Sequence, residues 1–188
     1  MSAERWVGRP VPRREDVRFL RGEATYLDDI ELPGLLEAAF VRSPYAHARL
    51  GAIDVEAARA VPGVAAVLTG ADLGEKARPL PAGGVDGGVV EDVGHPVLAR
   101  DRVRYAGEAV ALVVAESRAV AEDAAELVEV DYEPLEPVLD PRTAAGAPLL
   151  HDGVAENRLV GWERAHGDVE AAFAAADRVV SQSFHIPR

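Results

Sequence analysis

Cysteine is absent from this chain of 188 residues. That excludes disulfides, a cysteine nucleophile, and zinc or iron–sulfur sites built on cysteine ligands. Lysine is nearly absent as well: Lys76 is the single one among 20 basic residues, a bias read as genomic composition rather than function. No apolar run approaches the roughly 20 residues that span a bilayer. Nor does an apolar stretch follow the N-terminal arginines, as it would in a secretory signal. The expectation is a cytoplasmic protein with no membrane insertion. Basic surplus is also missing. Twenty Lys and Arg stand against 32 Asp and Glu, for a net charge of −12. That argues against a nucleic-acid partner, whose phosphate backbone needs basic surface.

What is present is enough apolar residue for a core. Hydrophobic residues make up 48% of the chain. A chain of this length can bury roughly 70% of its unfolded surface. The strongest periodic signal lies in residues 102–140. Residues 109–115, AVALVVA, are seven apolar residues in a row, which predicts a strand buried on both faces. Ser117 follows as an N-cap for a helix with Val120, Ala124, Leu127 and Val128 on its apolar face. From Val128 the alternation turns extended, until Pro134 and Pro137 end any central strand. The unit reads strand, helix, strand, with a right-handed crossover if its two strands lie parallel in one sheet.

Charge is concentrated in the same region. Residues 107–140 hold ten acids and one arginine, a local charge of −9. Two readings stand: a solvated helix face, or an acidic docking surface for a basic subunit.

Residues 1–18 read as an N-terminal extended arm, basic and interrupted by Pro10 and Pro12. A disordered tail is the other reading, and Trp6, Phe19 and Leu20 favour the arm. Residues 22–33 predict a short strand and a turn. Asp28 and Asp29 point to opposite faces of an extended chain, so they cap the turn rather than pair at a metal. Strands follow at 35–41, 48–53 and 64–68, with Asp54 capping a short helix over 55–61 that ends at Pro62 and Gly63. Residues 48–69 thus form a smaller strand–helix–strand unit. Residues 73–95 are rich in glycine and proline, lack a G-x-x-x-x-G-K-[ST] cradle and predict a mobile loop. An entry strand is expected over 98–105 and a linker over 141–156. Asp168 caps a last helix over 169–176, followed by a strand over 178–186. A final element with no cap or polar tail reads as a chain that continues in its full form.

No catalytic constellation is assembled by local spacing. His47, His95, His151, His166 and His185 form no ligand pair of the H-x-x-x-H type and read as surface or structural residues. Ser43, Ser117, Ser181 and Ser183 lack a nucleophile-elbow context. Glu91 and Asp92 lie in the glycine-rich loop. No catalytic, cofactor-binding or metal residue is assigned.

The run RFLRGEATYLDDIELPGLLEAAFVRSPYAHARL, residues 18–50, resembles the N-terminal part of the molybdopterin-binding large subunit of molybdenum hydroxylases. These are the xanthine dehydrogenase, aldehyde oxidase and aerobic carbon monoxide dehydrogenase family. Three later runs resemble it in the same order: AIDVEAARAVPGVAAVLTGADL, VRYAGEAVALVVAESRAVAEDAAELVEVDYEPLEPVLDP and GDVEAAFAAADRVVSQSFHIPR. Among members the chain looks most like the carbon monoxide dehydrogenase-type large chains. The resemblance implies an α/β-hammerhead domain over 19–140, of α/β (α+β) class with a mixed sheet, and the beginning of the first molybdopterin-binding domain over 157–188. It further implies oxidative hydroxylation at carbon, or carbon monoxide oxidation, with water as the oxygen source. Molybdopterin is then the cofactor of the full subunit. The 2Fe–2S clusters and FAD sit on partner subunits, in keeping with the missing cysteines. The family's cofactor loops and catalytic glutamate lie beyond the matching runs, so none is carried over. The expectation is a truncated or split subunit.

Three functions compete. The first is a scaffold module that packs against the remaining molybdopterin-binding polypeptide and the iron–sulfur and flavin subunits, inactive alone. Second is a free-standing hammerhead binding or regulatory domain that uses the acidic 107–140 surface. The third is a small enzyme built on the loop around Glu91 and His95.

Overall fold

The computed structural model describes residues 7–74, 77–81, 89–90, 93–184 and 186. Arg13 donates its backbone N–H to the Asp16 carboxylate at 2.8 Å. The chain there turns into a short helix, α1 (Asp16–Leu20), with no buried residue. So the end of the expected arm is helical rather than extended, with Asp16 bonded back to both the backbone and the side chain of Arg13 and no side-chain bond from the N-cap Glu15. Of the short strand and turn expected over 22–33, the turn forms at Leu27–Asp29 and the strand does not. Strands β1 (Glu37–Arg42) and β2 (Ala48–Asp54) follow, then helix α2 (Glu56–Arg59), strand β3 (Val64–Thr69) and helix α3 (Gly70–Leu73). Strands β4 (Val89–Val90), β5 (Arg102–Val103) and β6 (Ala109–Ala115) lead to helix α4 (Arg118–Ala125). The chain then runs through β7 (Glu129–Pro134), β8 (Val160–Gly161) and helix α5 (Val169–Ala175).

Every strand pairing among the described residues is antiparallel. One sheet has the order β1-β6-β3, a second β5-β2-β7, and β4 pairs with β8. The expected mixed sheet is therefore replaced by antiparallel ones. Each strand–helix–strand unit runs between two sheets: β2–α2–β3 crosses from the second to the first, and β6–α4–β7 crosses back. The handedness rule for parallel crossovers does not apply to such units.

β6 is the central strand of the first sheet, and its apolar run reflects that position. Its Val113 joins Val55, Ala58, Val67 and Ala124 in one core. Its Val110 joins Ala48, Ala99 and Val103 in another. Helix α4 packs on β1 and β6. The small buried residues Ala121 and Ala124 let it come close. Leu127, expected on this face, is exposed, because α4 ends two residues before it. Ser117 caps α4 as expected, accepting from Val120 N at 3.3 Å. Asp54 accepts from Glu56 N at 3.0 Å, although Val55 holds the cap position of α2.

The expected entry strand shrinks to β5, the two residues that pair with Ala48 and Arg49. The side chain of Asn157 gathers residues 144–150. Asn157 accepts from Leu150 N at 2.8 Å and donates to the carbonyls of Ala144 and Pro148 at 2.9 and 3.0 Å. The Asp168 side chain caps α5 through Ala171 N at 2.9 Å. No strand forms over the described part of 178–186, since no neighbouring edge offers its amides a partner.

Candidate interaction surface

The polar residues singled out in the sequence do not converge. His47 is buried, with its ring Nδ1 2.9 Å from the carbonyl oxygen of Glu136. It fastens the chain beyond β7 onto β2. His95 stacks on Tyr105, and its Nε2 lies 3.2 Å from the Tyr105 hydroxyl. His151 is half-buried. Burial, followed by the nearby Arg104 and Arg102, pushes its pKa below the usual 6.5. His166 is exposed beside α5. His185, Glu91 and Asp92 lie outside the described residues, as does most of the glycine-rich loop. Ser43 is buried and bonded to the backbone of Tyr45, accepting its N–H at 3.0 Å and donating to its carbonyl at 3.1 Å. Ser181 and Ser183 are exposed in an irregular segment. Among the described residues, no group of three or more His, Cys, Asp or Glu could hold a metal ion.

Asp29 accepts from Tyr26 N at 2.8 Å, the turn-capping role expected of the pair. Asp28 instead lies 3.5 Å from Arg118, which ties the turn to α4. Two residues escaped the sequence reading altogether. Glu108 is buried and accepts from Arg104 N at 2.6 Å, and Arg104 donates to the Leu150 carbonyl at 2.9 Å. Arg104 and Glu108 meet across a four-residue turn, whereas Arg104 and Leu150, 46 residues apart, meet only in the fold.

What the surface offers is apolar and acidic area. Glu122 and Asp123 on α4, Glu126 at its C-cap, and Glu129, Asp131 and Glu133 on β7 all face solvent. At the C-terminal end no described residue of 158–184 is buried. This stretch carries Trp162, Val169, Phe173, Val179, Val180 and Phe184, all exposed. Val169 and Phe173, predicted on one apolar face of the last helix, stay exposed and line a cleft with Val179 and Val180. An exposed apolar stretch of this extent marks a contact surface.

The family profile described as "Aldehyde oxidase and xanthine dehydrogenase, a/b hammerhead domain" matches residues 21–136. The chain belongs to this family. A curated relative of the hammerhead chain is the nicotine 6-hydroxylase large subunit of Paenarthrobacter nicotinovorans, 46% identical over 95% of this chain and 22% of the relative. Two solved structures resemble the fold. The crystal structure of quinoline 2-oxidoreductase from Pseudomonas putida 86 matches with a TM-score of 0.78 and 42% identity, over 90% of this chain and 22% of that one. A Cu,Mo-CO dehydrogenase, in its carbon monoxide-reduced state, matches with a TM-score of 0.69 and 40% identity, over 91% and 23%. The hammerhead chain thus spans under a quarter of the length of these proteins. The likeness to carbon monoxide dehydrogenase is real, but a nicotine hydroxylase chain is at least as similar.

Proposed function

We propose that this chain is the N-terminal scaffold module of a molybdenum hydroxylase large subunit, cytoplasmic and not catalytic alone. It packs against the remaining molybdopterin-binding polypeptide and against iron–sulfur and flavin subunits. The observation that carries this reading is the C-terminal stretch, 158–184, whose apolar side chains are all exposed. Family membership and the fraction of each relative covered support it.

Bound molybdopterin would supply the redox centre for hydroxylation. The described residues contain no metal-holding group. On this reading the cofactor is held by the remaining polypeptide, which makes up more than three quarters of each relative. What this chain's residues do is structural: β6 and α4 form the rigid body, and the exposed stretch presents the contact.

The test is purification of the tagged chain from its own cells, with metal analysis and hydrogen exchange. Co-purification of a longer molybdopterin-binding chain, with slowed exchange over 158–184 in the complex, is expected. Stoichiometric molybdenum and turnover in the isolated chain would overturn the proposal.

A further inference from the structure

One of the clefts among the described residues is rich in arginine. It has a volume of about 440 Å³ and is lined by Arg78, Arg100, Arg104 and His151, with Asp101 its only described acid. In a chain of net charge −12 this is a local inversion of sign. The geometry points to an oxyanion-binding site here, for a small phosphate- or carboxylate-bearing ligand held by the guanidinium groups of Arg78, Arg100 and Arg104.

Each guanidinium carries five N–H donors. Arg100 donates one to the Gly74 carbonyl. Arg104 donates to the carbonyls of Leu150 and Arg102 at 2.9 and 3.4 Å. Arg78 takes part in no ion pair among the described residues. Most of the donors are therefore left over. Asp101 does not use them up. Its Oδ2 lies 3.3 Å from Arg102 Nε, outside the cleft lining, and 3.8 Å from Arg104 Nη2. Planar guanidinium forks match phosphate and carboxylate oxygens better than any other side chain.

The walls are fixed by close backbone approaches. A Cβ on Gly70 would stand 2.6 Å from the Ala99 carbonyl and 2.8 Å from Arg100 Cγ, so only glycine lets Arg100 lie where it does. Gly94, at φ +55°, comes as close to Pro79, where a Cβ would meet Pro79 Cβ at 2.8 Å. Leu80 and His95 exchange two backbone hydrogen bonds of 2.8 and 2.6 Å, and His95 is held in turn by Tyr105. Such a frame preorganises the donors before any ligand arrives. His151 on the same wall has its pKa lowered first by burial and only then by Arg104 and Arg102.

This inference is independent of the docking reading, and its test uses the chain alone. Calorimetric titration with inorganic phosphate and, separately, with succinate, against sodium chloride at matched ionic strength, distinguishes the two ligand sources. Binding of at least one of them with a dissociation constant of about 1 mM or tighter is expected. Arg78→Gln and Arg100→Gln should each weaken it about tenfold, the cost of a lost charge-assisted hydrogen bond. Arg78 is exposed, so its variant should keep the wild-type circular dichroism spectrum. Absence of binding by both anions, or binding that neither substitution changes, would overturn the site.

Discussion

The ring of His47 is fastened to the backbone carbonyl of Glu136, 2.9 Å from Nδ1, while the His47 carbonyl accepts from Leu135 N at 2.9 Å. These bonds join β2 to the proline-bracketed run after β7, where the ladder itself has ended. Removing the ring leaves both a void and a half-buried carbonyl. His47→Ala should lower unfolding free energy by about 2–3 kcal/mol. His47→Asn, whose amide can donate near the position of Nδ1, should recover part of that loss. Urea denaturation of both variants checks the difference; equal losses would refute the hydrogen-bond account.

Val110 and Val113 lie on one strand but in different cores. Truncation to Ala at either position should cost about 2 kcal/mol, from lost burial and the cavity left behind. Because the two share no cluster, the double variant should lose the sum to within about 0.5 kcal/mol. Strong coupling in a double-mutant cycle would mean that β6 joins a single continuous core instead.

β6 and α4 were legible because their signals are local: seven apolar residues in a row, then Ser117 at the cap. The pairing of β1 with β6 was not, since Glu37 and Ala115 meet across most of the domain. Nothing in either segment states the partner or its direction. Hence the strand–helix–strand pattern was visible while the two-sheet arrangement was not. The alanine face of α4 was half-hidden for another reason: Ala121 is buried, yet alanine is common on both faces of helices. The strand expected after α5 had the right residues and lacked only an edge to pair with. The cleft arginines come from residues 78–104 and meet His151 only in three dimensions, so spacing could not reveal them.

Gly70 tests how rigidly that cleft is built. Its missing Cβ would meet backbone, the Ala99 carbonyl at 2.6 Å, not merely a movable side chain. Gly70→Ala should therefore displace the 98–100 segment and destabilise the fold by about 1–3 kcal/mol. Thermal unfolding gives the stability, and any phosphate binding should fall with it. An unchanged melting temperature would show that the segment yields freely.

Acid should weaken the fold in two separate windows. His151 is held below its usual pKa of 6.5, chiefly by burial and then by Arg104 and Arg102. The unfolded chain therefore takes up a proton that the folded chain refuses. Stability is lost as pH falls from above 6.5 toward the folded value. Asp72 lies below its usual 3.8, first through the side-chain hydrogen bond from Thr69 and then through the Thr69 backbone N–H, which donate over 2.7 Å each. Its contribution is present above the unfolded value and disappears as pH drops through the folded one. His151→Asn should flatten the upper window and leave the lower one; Asp72→Asn should spare the upper window and reduce the lower one, to which Asp140, lowered by its hydrogen bonds from Arg142, also contributes. Urea midpoints at about pH 7.5, about pH 5.5 and about pH 3 separate the two. The assignment fails if each substitution alters both windows alike. Because Asp72 is almost fully exposed, salt should shrink its window, whereas that of the half-buried His151 should persist.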